Sequence, residues 1–272
     1  MQTLFRPLPY LTFRKALLLR LLMVPNLFLN RATGLENLLQ SGSAIYVFNH
    51  NNALESLLVP VFLMFHLGGR TVSFVIDWMF GKIPVLGWLM RLTDPLYVYH
   101  KRSTVPMIER RRPVFPLQGV VERCCERLEA GGSIGIFPEG RRNPHPERLA
   151  RAKPGIGHIV LRSGRPAIPV GIDFPLRRRK GRIPVFGRMV LTIGAPLDFP
   201  EWTERYAALR ARSASDAESR RELHALADAA TGALMQKLSA LCGKTLGDPR
   251  SPLPGSLACN HTTSKKELPC PV

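Results

Sequence analysis

Acidic residues are scarce in this chain. Over 272 residues it carries 20 Asp and Glu against 38 Lys and Arg, a formal net charge of +18. That deficit predicts an anionic partner, and nucleic acid and the cytoplasmic face of a membrane both qualify. Also missing is an unbroken stretch of about 20 apolar residues, the length a spanning helix needs. The nearest candidate, between Ala16 and Leu29, is interrupted by Arg20 and Pro25. Without a clean apolar region and a small-residue cleavage site, no secretory leader is expected. The five cysteines (Cys124, Cys125, Cys242, Cys259 and Cys270) lack zinc spacing and are odd in number. They predict a reducing compartment, no disulfide framework and no structural metal. Internal repeats are absent. So are a helix-turn-helix, a zinc finger and an aromatic-studded basic strand, which makes specific nucleic-acid binding the weaker reading of the charge.

What remains is ordinary for a globular protein: 45% of the residues are hydrophobic, enough for one large α/β domain with a substantial core. Strand-like runs are expected at 44–48, 71–76, 95–99, 133–137, 167–174 and 189–193. Helical patterns lie between them at about 53–67, 119–130 and 153–163, and a long one-faced pattern occupies 215–241. Residues 77–90 interleave Trp78, Phe80, Trp88, Met79 and Leu89 with glycines. That stretch suits a packed core, the wall of an apolar groove, or membrane contact.

The stretch around which the rest is arranged is Phe48-Asn49-His50-Asn51-Asn52-Ala53-Leu54-Glu55. A strand delivers His50 into a tight turn, and Glu55 stands in the first turn of the helix that follows. Folded back across the turn, the carboxylate can accept a hydrogen bond from one ring nitrogen of His50, leaving the other free to take a proton. The local sequence holds no serine or cysteine nucleophile, so the pair suits a reaction in which the substrate brings its own hydroxyl. A His and a Glu five residues apart also arise by chance.

A second landmark, Ser133-Ile134-Gly135-Ile136-Phe137-Pro138-Glu139-Gly140-Arg141-Arg142-Asn143, is again a strand followed by a charged turn. With the later Ala167-Ile168-Pro169-Val170-Gly171-Ile172, these blocks resemble the glycerolipid acyltransferase family, the lysophosphatidic acid and glycerol-3-phosphate acyltransferases. That family carries a His-x4-Asp block, a Phe-Pro-Glu-Gly-Thr-Arg-Ser block and a later apolar block with Pro, in this order. Three departures are visible: Glu55 replaces the family's Asp, Arg141 its Thr and Asn143 its Ser.

The resemblance implies a mixed, mostly parallel central sheet flanked by helices, of the glycerol-3-phosphate acyltransferase type. It implies catalysis by His50, oriented by Glu55, and transfer of a fatty acyl group to the hydroxyl of a lysophospholipid such as 1-acylglycerol-3-phosphate. The donor would be acyl-CoA or an acyl carrier protein thioester, with no metal and no other cofactor. Arg102, Arg142 and Lys153 would bind the acceptor phosphate. Arg102 is chosen over His100 and Lys101 because a guanidinium binds phosphate through two parallel hydrogen bonds. Glu139, Gly140 and Arg141 would contact the rest of the acceptor.

Residues 1–33 are expected to form an amphipathic segment lying in a membrane interface, with cations reaching the headgroups; a helix packed on the domain is the alternative. Residues 34–242 would be the acyltransferase domain and 243–272 a disordered tail. The basic runs Arg110-Arg111-Arg112 and Arg177-Arg178-Arg179-Lys180 would face anionic lipid or solvent. The protein is thus expected on the cytoplasmic face of a membrane, a bacterial inner membrane being the first choice. The competing classes are a catalytically silent membrane adaptor on the same fold and, less favoured, a nucleic-acid-binding protein.

Overall fold

The computed structural model describes residues 4–38, 42–99, 102–112, 118–174, 183, 187–212 and 216–247. His100, Lys101, the run 177–180 and residues 248–272 lie outside this set. The chain opens with helix α1 (Phe13–Leu29) and strand β1 (Asn30–Thr33), then β2 (Ile45–Phe48), α2 (Glu55–His66) and β3 (Val72–Asp77). Next come α3 (Pro84–Arg91), β4 (Leu96–Val98), the short α4 (Pro106–Glu109), α5 (Val120–Glu129) and β5 (Ser133–Ile136). They are followed by β6 (Arg148–Leu149), α6 (Gly155–Ser163), β7 (Ala167–Asp173) and β8 (Met189–Ile193). Helices α7 (Pro200–Arg212) and α8 (Ala217–Cys242) and strand β9 (Thr245–Leu246) complete the described chain.

Among the described residues, seven strands make one sheet in the order β1-β8-β7-β2-β5-β3-β4. Every pairing is parallel except β7 with β8, so the sheet is mixed and mostly parallel, as expected. Strand β2 is central, with Ile45 opposite both Ile134 of β5 and Ala167 of β7. A parallel strand covered on both faces has no polar side to show, and all four residues of β2 are buried. Tyr46 and Phe48 enter the apolar cluster that includes Leu19 of α1 and Phe62 of α2. Ile45 and Val47 point the other way, toward Leu128 of α5, Ile156 of α6 and Leu234 of α8. Helices therefore cover both faces, and α6 and α8 touch closely: a Cβ added at Gly157 would lie 1.9 Å from the Ala227 carbonyl oxygen.

Three expectations need adjusting. Residues 30–33 are not part of a separate membrane segment, because β1 pairs with β8 from Asn30↔Met189 to Thr33↔Thr192. Helix α1 also runs unbroken through Pro25, and its Ala16, Leu19 and Met23 are buried. Its opposite side leaves Phe13, Leu17, Leu21, Val24 and Phe28 exposed. Arg20 does not reach outward. Its Nε donates to the Leu4 carbonyl at 3.0 Å, tying the preceding segment to the helix. No described helix is long and apolar enough to cross a membrane. Finally, the chain stays ordered past residue 243: Gly243, in the left-handed region, ends α8, and Thr245–Leu246 pair with Arg148–Leu149. A composition rich in Pro, Gly and Ser further on hid this two-residue pairing.

Candidate active site

Three asparagines shape the turn after β2. Asn49 is fully buried, and its amide pairs with the Ile172 backbone as a strand neighbour would: Nδ2 donates to the carbonyl at 2.8 Å and Oδ1 accepts the N–H at 2.7 Å. Asn52 Oδ1 accepts the N–H groups of Leu54 at 3.0 Å and Glu55 at 3.4 Å, satisfying donors that open α2. Asn51 turns to Glu55, its N–H donating to Oε2 at 2.8 Å and its Nδ2 to Oε1 at 2.7 Å.

Against this frame, His50 Nδ1 lies 3.1 Å from Glu55 Oε2. Glu55 is fully buried, whereas the His50 side chain keeps 14% of its surface exposed. A buried carboxylate must find donors, and Glu55 has three: the imidazole and both groups of Asn51. With Nδ1–H donating to the carboxylate, Nε2 is the nitrogen that can accept a proton. The methylene by which Glu exceeds Asp is accommodated by this folded-back geometry.

The Phe137–Arg142 block arrives on the adjacent strand, β5. Its Phe137 ring lies 4.4 Å from that of His50 and 6.2 Å from that of Phe74, making an aromatic wall beside the imidazole. Glu139 departs from expectation. Its Oε1 accepts the His50 N–H at 2.9 Å and its Oε2 the Ala150 N–H at 2.7 Å, and only 3% of its surface is exposed. It braces the turn from within instead of presenting itself to an acceptor. Burial raises its pKa above the usual carboxylate range, against the opposing pull of those two N–H groups, the Asn143 side chain and the Lys244 charge. The same loop is held again where Asn143 N–H donates to the His50 carbonyl at 2.6 Å.

Gly140 adopts the left-handed conformation, with φ at +61°. A Cβ there would fall 2.9 Å from Lys153 Cε, so the glycine makes room for the Lys153 stem beside the turn. Lys153 and Arg142 are exposed and Arg141 is half-buried. Arg102 lies farther off. It is exposed and follows β4 at the sheet edge, three strand spacings or roughly 14 Å across from β2. The fold thus gathers His50, Glu55, Glu139, Gly140 and Lys153 and sets Arg102 apart.

Lys244 was not among the residues singled out in the sequence. It is buried, and its Nζ donates to Asn51 Oδ1 and, at 3.0 Å, to the His145 carbonyl. No local signal marked it, because nothing in the sequence reveals that the chain after α8 returns to the turn after β2.

An apolar groove of about 150 Å³ opens between α1, α2, β3 and the end of α3. Leu18, Leu22, Leu57, Val61, Phe74 and Leu89 line it. Leu57 stands two residues beyond Glu55, and Phe74 belongs to the aromatic wall beside His50.

Comparison with known proteins gives a consistent picture. A family model described as Acyltransferase matches residues 30–173. The chain is 31% identical over 140 residues to the 1-acyl-sn-glycerol-3-phosphate acyltransferase BAT2, chloroplastic, of Brassica napus, a match covering 50% of this chain and 35% of that protein. It is 30% identical over 140 residues to the 1-acyl-sn-glycerol-3-phosphate acyltransferase LPAT1, chloroplastic, of Arabidopsis thaliana, covering 50% and 34% respectively. The match therefore spans about a third of the length of these curated relatives. In fold, the chain is similar to the crystal structure of the 1-acyl-sn-glycerophosphate (LPA) acyltransferase PlsC from Thermotoga maritima. The TM-score is 0.52 at 20% identity, over 85% of this chain and 84% of that one.

Proposed function

This chain belongs to the acyltransferase family, and from that premise we propose that it transfers a fatty acyl group from an acyl thioester to the hydroxyl of 1-acylglycerol-3-phosphate or a close lysophospholipid. The observation that carries the reading is the His50–Glu55 pair. One ring nitrogen is engaged by a buried carboxylate at 3.1 Å, and the ring itself is still reachable.

In the proposed reaction His50 Nε2 takes the acceptor's hydroxyl proton as its oxygen attacks the thioester carbonyl. A C–O bond forms and the carbonyl oxygen takes the charge. Collapse of this intermediate breaks the C–S bond, and the departing thiolate receives the proton back from the imidazolium. Glu55 holds the ring and offsets the imidazolium charge during that interval. No covalent acyl-enzyme is needed.

Lys153, whose stem lies beside Gly140, and the exposed Arg142 two residues further along the same turn would receive the acceptor phosphate, with Arg102 a more distant contributor. The groove beside Leu57 and Phe74 fits an acyl chain in chemistry and in nearness to His50. Helix α1, which lines the groove with Leu18 and Leu22, carries outside it the exposed stripe Phe13, Leu17, Leu21, Val24 and Phe28, which suits peripheral attachment to an anionic cytoplasmic membrane face. The thioester donor in this reading is an acyl-CoA or an acyl carrier protein thioester.

The test is thiol release from a long-chain acyl-CoA and from an acyl carrier protein thioester, each offered with a panel of lysolipids. Wild type is expected to release thiol only when an acceptor is present, and His50→Ala to lose at least a thousandfold in rate. No turnover with any pair, while vesicle binding persists, would favour the silent adaptor.

A further inference from the structure

Lys244 has little reason to be buried unless the buried charge is used. Taking an ammonium out of water costs several kcal/mol after relaxation and has to be offset by partners. Yet only 3% of Lys244 is exposed. The backbone directs it inward from both sides. Gly243, with φ at +61°, turns the chain off α8, and Thr245 N–H donates to the Glu147 carbonyl at 2.8 Å. The acidic groups facing the ammonium are Glu55 at the start of α2, Glu139 after β5 and Asp173 at the end of β7, with the Cys242 thiol from α8. His145, whose carbonyl accepts from Nζ, also lies within reach of the Lys244 and Arg148 charges. Burial lowers the lysine's pKa despite the opposing acidic neighbours.

Asn51 connects this cation to the catalytic pair. Its Oδ1 accepts from Lys244 Nζ, while its Nδ2 donates to Glu55 Oε1 at 2.7 Å and to the Ile172 carbonyl at 3.2 Å. A flipped amide would set its NH₂ group against the ammonium and its oxygen against the Glu55 carboxylate. Both contacts would be repulsive, so Lys244 and Glu55 together leave Asn51 one orientation, in which Oδ1 also accepts from Asn49 Nδ2 at 3.3 Å.

We propose that Lys244 is a positioning residue for the His50–Glu55 pair. It holds the Asn51 amide in the orientation that donates to Glu55 Oε1, and so fixes the carboxylate that orients His50. The short pairing of β9 with β6 thereby becomes part of the active-site architecture. The consequence for rate rests on the acyl-transfer reading; the effect on the His50–Glu55 geometry does not.

The experiment reads the His50 Nδ1–H proton resonance, moved downfield by its hydrogen bond to Glu55, in NMR spectra of the full chain, with the signal identified by its absence in His50→Gln. Wild type is compared with Lys244→Met and with Lys244→Gln, which retains a donor for Asn51. Without the ammonium the Asn51 amide is freer to turn and the Glu55 carboxylate to shift, so the resonance is expected to move upfield or broaden in Lys244→Met and less so in Lys244→Gln. For acyl transfer at neutral pH, kcat should fall about tenfold or more, with KM little changed and the loss smaller in Lys244→Gln. A folded variant whose His50 resonance matches wild type overturns the inference, even if its melting temperature has dropped, because that result makes Lys244 merely structural. If Lys244→Met does not fold, the Gln variant decides. The NMR reading needs no turnover, so an inactive wild type would remove the proposed function and leave this test intact.

Discussion

Glu139 grips His50 by its backbone, with Oε1 2.9 Å from the His50 amide nitrogen. The other carboxylate oxygen holds Ala150 N–H at 2.7 Å, so one buried side chain joins the turn after β2, the turn after β5 and the start of the loop leading to α6. The Phe-Pro-Glu-Gly block and the His block are thereby one mechanical unit. Precision at the imidazole requires that the turn carrying it be fixed, and backbone N–H groups bonded to a carboxylate are among the stronger ways to fix it.

Shortening Glu55 tests the reach of the pair. In Glu55→Asp the carboxylate retreats by one methylene from His50 and from both Asn51 donors, and kcat is expected to fall roughly ten- to a hundredfold. Glu55→Gln keeps the length but removes the charge that offsets the imidazolium, so its loss should be larger, about a hundredfold or more. Steady-state kinetics of both variants, with melting curves to show that they fold, check the order. An Asp variant as active as wild type would mean that the turn readjusts to either length.

His66 should give the protein an acid-sensitive step in stability. It ends α2 among Phe62 and Phe65, and its Nε2 has no hydrogen-bond partner among the described residues. Burial, then the Arg6 charge, lowers its pKa to about 4. Because the folded value lies below the unfolded one of about 6.5, the unfolded chain binds the extra proton between them. Stability is therefore full above about pH 6.5 and declines as pH falls toward 4. Melting temperature should drop over that window in wild type and less in His66→Leu. Parallel curves for the two proteins would remove His66 from the account.

The exposed side of α1 is expected to bind membrane. Replacing Leu17 and Leu21 together by Ser removes two large apolar contacts, each worth up to about 2 kcal/mol when buried. Co-sedimentation with vesicles containing anionic lipid should weaken at least tenfold. The melting temperature should stay near that of wild type, because both side chains already face outward. Added salt should weaken binding further through screening of the basic residues. Unchanged sedimentation would place the membrane contact elsewhere.

By itself the sequence determined the alternation of strands and helices, the delivery of His50 and the Phe137–Arg142 block at strand ends, and the pairing of His50 with Glu55. Each is local: a continuous apolar run followed by a polar turn has few ways to fold, and two residues five apart across that turn are already near each other. The short strands β1 and β9 escaped it because two to four residues carry no usable periodicity, and the longer α7 escaped it because only two of its side chains, Tyr206 and Leu209, are buried. Only the tertiary structure decided what Glu139 and Lys244 do. The partners of Glu139 lie 89 and 11 residues away, and Lys244 reaches Asn51 across 193 residues. Whether a charged residue binds substrate from the surface or braces a turn from within depends on its burial. Burial in turn is set by which distant segments pack over it, and no local pattern encodes that.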